Sequence, residues 1–212
     1  MHLDVTPTVR LTGRNEKTGL IFHSKPEDAS EPKHSLHANP HGFAQWFNAQ
    51  TPPDQTFGAF FEKRSLDYDR GRLMLLEKKA DATPVPEQAP AYRKARAVIA
   101  LQLIKRWRNL AYDKRHKKLR LPPSVLLAYY VATHANQTNT LADELTHQVD
   151  SMIAVLKAAE RGGKTVQAFN PVCREDELTD RWPCDLREQR VFIDELTDFA
   201  AKLERLRGDI SL

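Results

Sequence analysis

The sequence lacks any long hydrophobic run and contains very little cysteine. No apolar stretch in its 212 residues approaches the roughly 20 residues of a bilayer-spanning helix. Its start, Met1-His2-Leu3-Asp4, has neither the basic residues nor the apolar core of a signal peptide. The two cysteines, Cys173 and Cys184, could form one disulfide at most, and no other cysteine stands near either to complete a zinc site. We therefore expect a cytoplasmic protein with reduced thiols and no membrane partner.

Positive charge is concentrated in one part of the chain. The net charge is only +4, yet residues 93–120 contain eleven Lys or Arg and one acid, Asp113. This concentration predicts an anionic partner, and three remain open: a nucleotide, a nucleic-acid backbone or an acidic protein. The run 114–120 is also typical of a solvated loop, because no Phe, Tyr or Trp interrupts it to stack on bases. Nucleic acid is therefore the less favoured partner.

The spacing of apolar residues predicts an α+β fold that is predominantly α-helical. Residues 1–10 alternate, with Leu3, Val5 and Val9 on one side, and residues 19–23 form a second candidate strand. An isolated hairpin is marginal in water, so we expect part of the sheet to be missing on the N-terminal side. Helical signals begin at Pro40 and are broken by three prolines within residues 83–90. We predict a core remnant over 1–82, a connector over 83–90 and a helical domain over 91–212.

The helical domain carries clear start and stop signals. A helix over 92–112 is predicted to face the core through Ile99, Leu103, Trp107 and Leu110. A second helix starts at Pro122-Pro123-Ser124 and is apolar all round, which predicts burial on every side. Two further helices open at capping boxes, and Gly208 is predicted to end the last one. The boxes pair Thr140 with Asp143 and Asp185 with Glu188.

Three residues carry candidate chemistry, and each has an ordinary alternative. Asp4 on a strand is either a solvated edge residue or a ligand for a hard metal ion. Lys105, between apolar residues, either extends from a buried helix to water or holds a phosphate. Ser124 at a helix start either caps its own helix or offers its hydroxyl to an anion. Residues 67–69 and the histidines 34, 37 and 41 are expected to be surface groups rather than metal sites.

Five short strings occur in the order found in one family. The most specific covers residues 170–182, Asn-Pro-Val-Cys-Arg-Glu-Asp-Glu-Leu-Thr-Asp-Arg-Trp, where Asp176-Glu177 stands in place of the usual Glu-Asn. The others are His2-Leu3-Asp4-Val5-Thr6-Pro7, Ala38-Asn39-Pro40-His41-Gly42-Phe43, Leu103-Ile104-Lys105-Arg106-Trp107-Arg108 and Leu121-Pro122-Pro123-Ser124. Together they resemble the bacterial cGAS/DncV-like nucleotidyltransferases, called CD-NTases or SMODS-type second-messenger synthases.

The resemblance implies a fold, an activity and roles for three residues. The fold is the C-terminal part of a polymerase-β-like nucleotidyltransferase core, followed by a helical domain like that of oligoadenylate synthases and cGAS. The family joins nucleoside triphosphates into cyclic di- or trinucleotides, using Mg²⁺ or Mn²⁺, and these products activate effector proteins in CBASS antiphage defence. Asp4 matches the third catalytic, metal-binding aspartate. Lys105 and Ser124 match the positions that hold the donor triphosphate.

The chain departs from the family pattern at its start. The family's Gly-Ser turn and its first two aspartates, in an Asp-x-Asp motif, precede the position matched by Asp4, and only three residues precede Asp4 here. We therefore expect a C-terminal portion of a synthase that is inactive as a 212-residue chain. The alternative is a non-catalytic remnant that binds a nucleotide or nucleic acid through the basic 93–120 surface.

Overall fold

The computed structural model describes residues 8–11, 17–23, 34–54, 57–59, 95–136 and 140–210. Asp4, the acidic pair at 67 and 69 and the proline-rich connector at 83–90 lie outside the described residues. The strands are β1 (Thr8–Arg10), β2 (Gly19–His23), β3 (His34–Ala38), β4 (Phe169–Asn170) and β5 (Cys173–Glu177). The helices are α1 (Pro40–Gln50), α2 (Arg96–Arg115), α3 (Ser124–His134), α4 (Leu141–Arg161) and α5 (Leu186–Ile210).

The N-terminal strands form an antiparallel sheet in the order β1-β2-β3. Thr8 lies opposite Ile21 in the predicted hairpin, and Ile21 lies opposite Leu36 of the third strand. The polar residues of 34–38 predict a loop, and this prediction is wrong because the segment forms strand β3. Two histidines and a serine weaken the apolar–polar alternation that would predict a strand. Its pairing with β2 is a tertiary contact, which local propensity does not report.

The helices α2, α3, α4 and α5 enclose the main core. Its fully buried members come from all four helices and from the turn before α5: Ile104, Leu126, Leu127, Val149, Met152, Leu156, Trp182 and Leu196. The prediction that α3 is buried on every side is wrong: Leu126, Leu127, Tyr130, Val131 and Ala132 are buried, but Ala128 and Tyr129 are half-buried and Val125 is exposed. Phe43 and Phe47 of α1 pack on this core from outside.

The buried face of α2 differs from the predicted one. Ile99 is buried as expected, but Leu103 and Leu110 are 42% and 39% exposed. The observed stripe is Ala97, Ala100, Leu101, Ile104, Arg108, Ala111 and Tyr112. The physical reason is helix packing: α2 contacts α3, α4 and α5, and its alanines let the neighbouring helices approach closely where larger side chains would hold them apart.

The predicted caps of the last two helices are confirmed, but the predicted end of the last is not. Thr140 accepts a hydrogen bond from the backbone N–H of Asp143 (3.2 Å), and Asp185 accepts one from that of Glu188 (2.8 Å). Helix α5 continues past Gly208 to Ile210. Glycine inside a helix costs only about 1 kcal/mol relative to alanine, so one glycine in the final turn does not stop α5.

Aromatic contacts link the elements in pairs. Trp46 of α1 stacks on Tyr129 of α3, with ring centroids 5.9 Å apart, and Trp107 of α2 stacks on Phe199 of α5 at 4.6 Å. Trp182 meets the Phe192 ring edge-on at 5.5 Å. Cys173 is buried, Cys184 is exposed and both thiols are free. Among the described residues, no helix is long and apolar enough to cross a membrane.

Candidate functional site: a cleft beside the start of helix α3

Two Asn-Pro turns that are far apart in the sequence meet at one junction. The Asn170 side-chain amide donates to the carbonyl oxygen of Asn39 (3.1 Å) and to the Asp176 carboxylate (2.8 Å). The same carboxylate oxygen accepts the backbone N–H of Asn39 at 3.0 Å. Asn39 and Asn170 are both buried, and Asp176 is half-buried. The junction fixes the end of β3 and the start of α1 against the β4–β5 hairpin.

Asn39 also begins helix α1. Its side-chain oxygen accepts the backbone N–H of Gly42 (2.8 Å), and its amide donates to the hydroxyl of Thr18 (3.2 Å). A Cβ atom at position 42 would lie 2.8 Å from Cγ2 of Val172 and 2.9 Å from the Asn39 amide. Glycine is therefore required at position 42 by the close approach of the two turns. The Asn-Pro-His-Gly string and the Asn-Pro-Val string are thus in direct contact.

A cleft of about 520 Å³ opens beside this junction. Its walls come from β2, β3, the start of α1, the start of α3 and the segment from β5 to residue 181. The volume lies within the range of small-molecule sites, which is about 300–1,000 Å³. One wall is acidic, with Glu175, Asp176, Glu177 and Asp180, and Pro123 and Val125 on either side of Ser124 line another.

Ser124 is the first residue of α3 and is exposed to solvent. Its hydroxyl oxygen accepts a hydrogen bond from Nη2 of Arg108 at 3.2 Å. No side chain caps the first turn of α3, and Pro123 at the cap position offers none. The first-turn N–H groups of α3 therefore have no side-chain acceptor, and the partial positive charge of a helix N-terminus favours an anion there.

Lys105 lies on α2, one helical turn before Arg108, and is half-buried. Residues three apart on a helix are neighbours on its surface, so Lys105 and Arg108 share a side of α2. Within the described part of the chain, its ammonium has no hydrogen-bond or ion-pair partner. Lys105 and Ser124 therefore lie on two elements that Arg108 joins.

Arg108 is the residue that sequence reasoning missed. Arg108 ends the string Leu103-Ile104-Lys105-Arg106-Trp107-Arg108. The predicted core face of α2, through Leu103, Trp107 and Leu110, gives this arginine no role. The signal was present in the spacing: Ala97, Leu101, Ile104, Arg108 and Ala111 recur every three or four residues, as in a buried helical stripe. An arginine in that stripe is buried, and a buried guanidinium needs hydrogen-bond acceptors.

The predicted metal ligand Asp4 lies outside the described residues. Among the residues that are described, no group of three or more His, Cys, Asp or Glu side chains could hold a metal ion. The described residues therefore do not form a metal site on their own. His41, one of the histidines considered for zinc, lies 2.7 Å from Nζ of Lys17 through its Nε2 atom.

The basic segment 93–120 is only partly a free surface. Arg108 is buried, and Arg115 makes two hydrogen bonds to the Glu195 carboxylate of α5. His116 contacts the same carboxylate, with 2.7 Å between Nε2 and Oε1. Lys114, Lys117, Lys118 and Arg120, around the end of α2, are exposed. The structure therefore uses part of the segment's charge to hold α2 on α5.

Comparison with known proteins finds a relative and a solved structure that match nearly the whole chain. No family model matches the chain. A cyclic dinucleotide synthase, CdnG of Bradyrhizobium diazoefficiens, is 33% identical over 213 residues, which span all of this chain and 50% of the relative. The solved structure of the B. diazoefficiens CD-NTase CdnG in complex with GTP matches 99% of this chain and 58% of that one, with a TM-score of 0.75 and 31% identity. This chain matches a CD-NTase along its whole length.

The match to the CdnG structure confirms the expected fold class. The described residues form a predominantly helical α+β structure, and it matches that of CdnG over nearly the whole chain. The chain spans about half the length of this relative. The division into 1–82, 83–90 and 91–212 stays a prediction.

Proposed function

We propose that this chain is part of a CD-NTase that joins nucleoside triphosphates into a cyclic oligonucleotide, and that it supplies the donor triphosphate site. The observation that carries the proposal is the match of the whole chain to a cyclic dinucleotide synthase. A match along the entire chain includes the segments around Lys105 and Ser124. The CdnG structure was solved with GTP, which supports a nucleoside triphosphate as the ligand class.

In this proposal, the triphosphate binds between α2 and the start of α3. The Lys105 ammonium is a compact charge suited to the terminal phosphates, and it has no competing partner among the described residues. The Ser124 hydroxyl and the first-turn N–H groups of α3 donate to phosphate oxygens. The nucleoside occupies the adjoining cleft, whose acidic wall keeps the negatively charged triphosphate at the α3 end.

The catalytic carboxylates and the metal are the remaining parts of the proposed enzyme. CD-NTases depend on a divalent metal ion, and we propose Mg²⁺, with Mn²⁺ as a substitute. Asp4 is the proposed ligand from this chain, and two further aspartates would complete the site. A bound ion would neutralise charge on the phosphates and activate the attacking hydroxyl. The 212-residue chain is therefore proposed to bind triphosphates without converting them.

The cyclic product defines the wider role. We propose a cyclic di- or trinucleotide that is made in the cytoplasm, where nucleoside triphosphates are available, and that activates a separate effector protein in CBASS antiphage defence.

Calorimetric titration of the 212-residue chain with GTP and GMP tests the triphosphate site. Lys105→Ala should weaken GTP binding about tenfold, since a charge-assisted contact to phosphate is lost, and should change GMP binding little. The control Lys157→Ala removes an exposed lysine of α4 and should change neither affinity. Equal GTP affinity in the wild type and Lys105→Ala would overturn the site. Product formed by the wild-type chain from ATP and GTP with Mg²⁺ would overturn the proposed inactivity.

A second candidate function is nucleic-acid binding by a non-catalytic remnant. The observation that favours it is the set of exposed positive residues around the end of α2: Lys114, Lys117, Lys118 and Arg120. Such binding weakens steeply with salt, because it releases counterions from the phosphate backbone. It should survive Lys105→Ala and be lost in the triple variant Lys114→Ala, Lys117→Ala, Lys118→Ala, which is the reverse of the pattern expected for triphosphate binding.

A further inference from the structure

Arg108 is a buried cation whose charge no carboxylate balances among the described residues. Only 6% of the residue is exposed. The guanidinium donates to the Pro122 carbonyl at 2.5 Å, to Oδ1 of Asn109 at 3.0 and 2.8 Å and to the Ser124 hydroxyl at 3.2 Å. All of these acceptors are neutral. Burial accordingly lowers the pKa of the Arg108 guanidinium.

A buried charge without a counterion is unfavourable for folding. Hydrogen bonds to neutral oxygens satisfy the N–H donors of a guanidinium, but they return only part of its lost hydration. Replacing a buried ionic group by an apolar one of similar size is often neutral or stabilising. Folding alone therefore gives little reason for an arginine at position 108, and a bound anion at the nearby surface gives one.

The hydrogen bond to Ser124 has a directional consequence. The Ser124 oxygen accepts from Arg108, so the hydroxyl hydrogen is available to donate to a different group. Ser124 is exposed, which leaves the solvent side of the α3 start as the place where that group binds. An anion there lies within the field of both the guanidinium and the helix N-terminus.

We propose that Arg108 is a positioning residue that makes the start of α3 selective for polyphosphate, by holding Ser124 as a donor and placing a fixed positive charge behind it. This inference rests on the proposed function, because it concerns the same phosphate site. It adds a residue that touches no ligand and acts through Ser124 and through its charge. It also gives that site a preference for several linked phosphates over one.

The test compares ligand binding with stability in three variants of the 212-residue chain. Arg108→Met removes the charge and keeps most of the volume, Arg108→Lys keeps the charge, and Arg106→Met is the control at an exposed arginine of the same helix. Inorganic tripolyphosphate, GTP and GMP are titrated by calorimetry, and urea unfolding is followed without ligand. Ser124→Ala, alone and combined with Arg108→Met, completes a double-mutant cycle.

The proposal expects Arg108→Met to separate binding from stability. Affinity for tripolyphosphate and GTP should fall about tenfold, affinity for GMP should stay within about twofold, and the urea midpoint should stay equal or rise. Arg108→Lys should recover part of the lost affinity, and Arg106→Met should match the wild type. The effects of Arg108→Met and Ser124→Ala should be non-additive, because one acts through the other.

Three results would overturn the proposal. The first is equal loss of GTP and GMP affinity in Arg108→Met together with a lowered urea midpoint, which indicates a purely structural arginine. The second is full additivity with Ser124→Ala and no recovery in Arg108→Lys. The third is no binding of tripolyphosphate by the wild type. If tripolyphosphate binding depends on Arg108 while Lys105→Ala leaves GTP affinity unchanged, the positioning role stands and the proposed nucleotide site fails.

Discussion

At the scale of single residues, the Glu195 carboxylate of α5 binds the C-terminal end of α2. Its carboxylate is buried and accepts hydrogen bonds from Arg115 at the end of α2 and from His116. Burial alone would raise the pKa of Glu195, but the hydrogen bonds from Arg115 and His116 outweigh it, so the pKa lies below the ordinary glutamate value. The ionised form is therefore the one that stabilises the fold.

This pKa shift predicts an acid-dependent loss of stability. A carboxyl group with a lowered folded-state pKa contributes its full stabilisation above its unfolded value of about 4.3 and loses it as the pH falls through the folded value. Glu195→Gln should lower the free energy of unfolding by about 1–3 kcal/mol near neutral pH. The difference from the wild type should shrink toward about pH 3, as measured by urea unfolding across pH.

A glutamate exposed on the same helix provides the control. Glu204→Gln should leave both the stability and its pH dependence close to the wild type, because Glu204 lies on the solvent side of α5. A Glu195→Gln deficit that stays constant from about pH 6 to about pH 3 would contradict the assigned origin of the shift.

At the scale of elements, the start of α5 depends on one side chain. Asp185 accepts the backbone N–H of Glu188 (2.8 Å), and the Glu188 carboxylate accepts that of Cys184 (2.9 Å). Asp185→Ala should cost about 1 kcal/mol of unfolding free energy, measured in urea, because the first turn loses a capping acceptor. Asp194→Ala, at an exposed position inside the same helix, should cost much less. Equal costs for the two variants would argue against the cap.

The helices show how far sequence patterns reach and where they stop. Caps at Thr140 and Asp185 were predictable because capping is local: acceptor and donor lie three residues apart. The prediction of the buried face of α2 was wrong at Leu103 and Leu110. Packing against three other helices determines that face, and the α2 sequence alone does not specify where those helices lie. Strand β3 was missed for the same reason, since its partner is β2.

At the scale of the whole molecule, the junction of Asn39, Asn170 and Asp176 joins the N-terminal sheet to the C-terminal hairpin. Asp176→Ala should lower the free energy of unfolding by about 2–3 kcal/mol, because the buried N–H of Asn39 loses its acceptor. Hydrogen exchange at the Asn39 amide should become faster in that variant. Arg174→Ala, on the same strand and exposed, should change neither quantity. Unchanged exchange at Asn39 in Asp176→Ala would show that the junction does not hold the two parts together.

The candidate site was only partly predictable, and its origin in distant segments explains why. The flanking residues and a family resemblance predict roles for Lys105 and Ser124. Neither the flanking residues nor the resemblance indicates that Arg108 donates a hydrogen bond to the Ser124 hydroxyl. The two Asn-Pro strings were noticed separately. Their contact joins residues 131 positions apart, and no periodicity in a single sequence reports such a pairing.

The placement of the three tryptophans has an optical consequence. Trp182 is fully buried at the turn before α5, whereas Trp46 and Trp107 are partly exposed at the α1–α3 and α2–α5 contacts. The fluorescence of each indole therefore depends on a different contact between elements of the fold. Variants that keep one tryptophan at a time turn the intrinsic fluorescence of the chain into three separate reporters, one for each boundary, so that the order in which these contacts open on unfolding becomes visible.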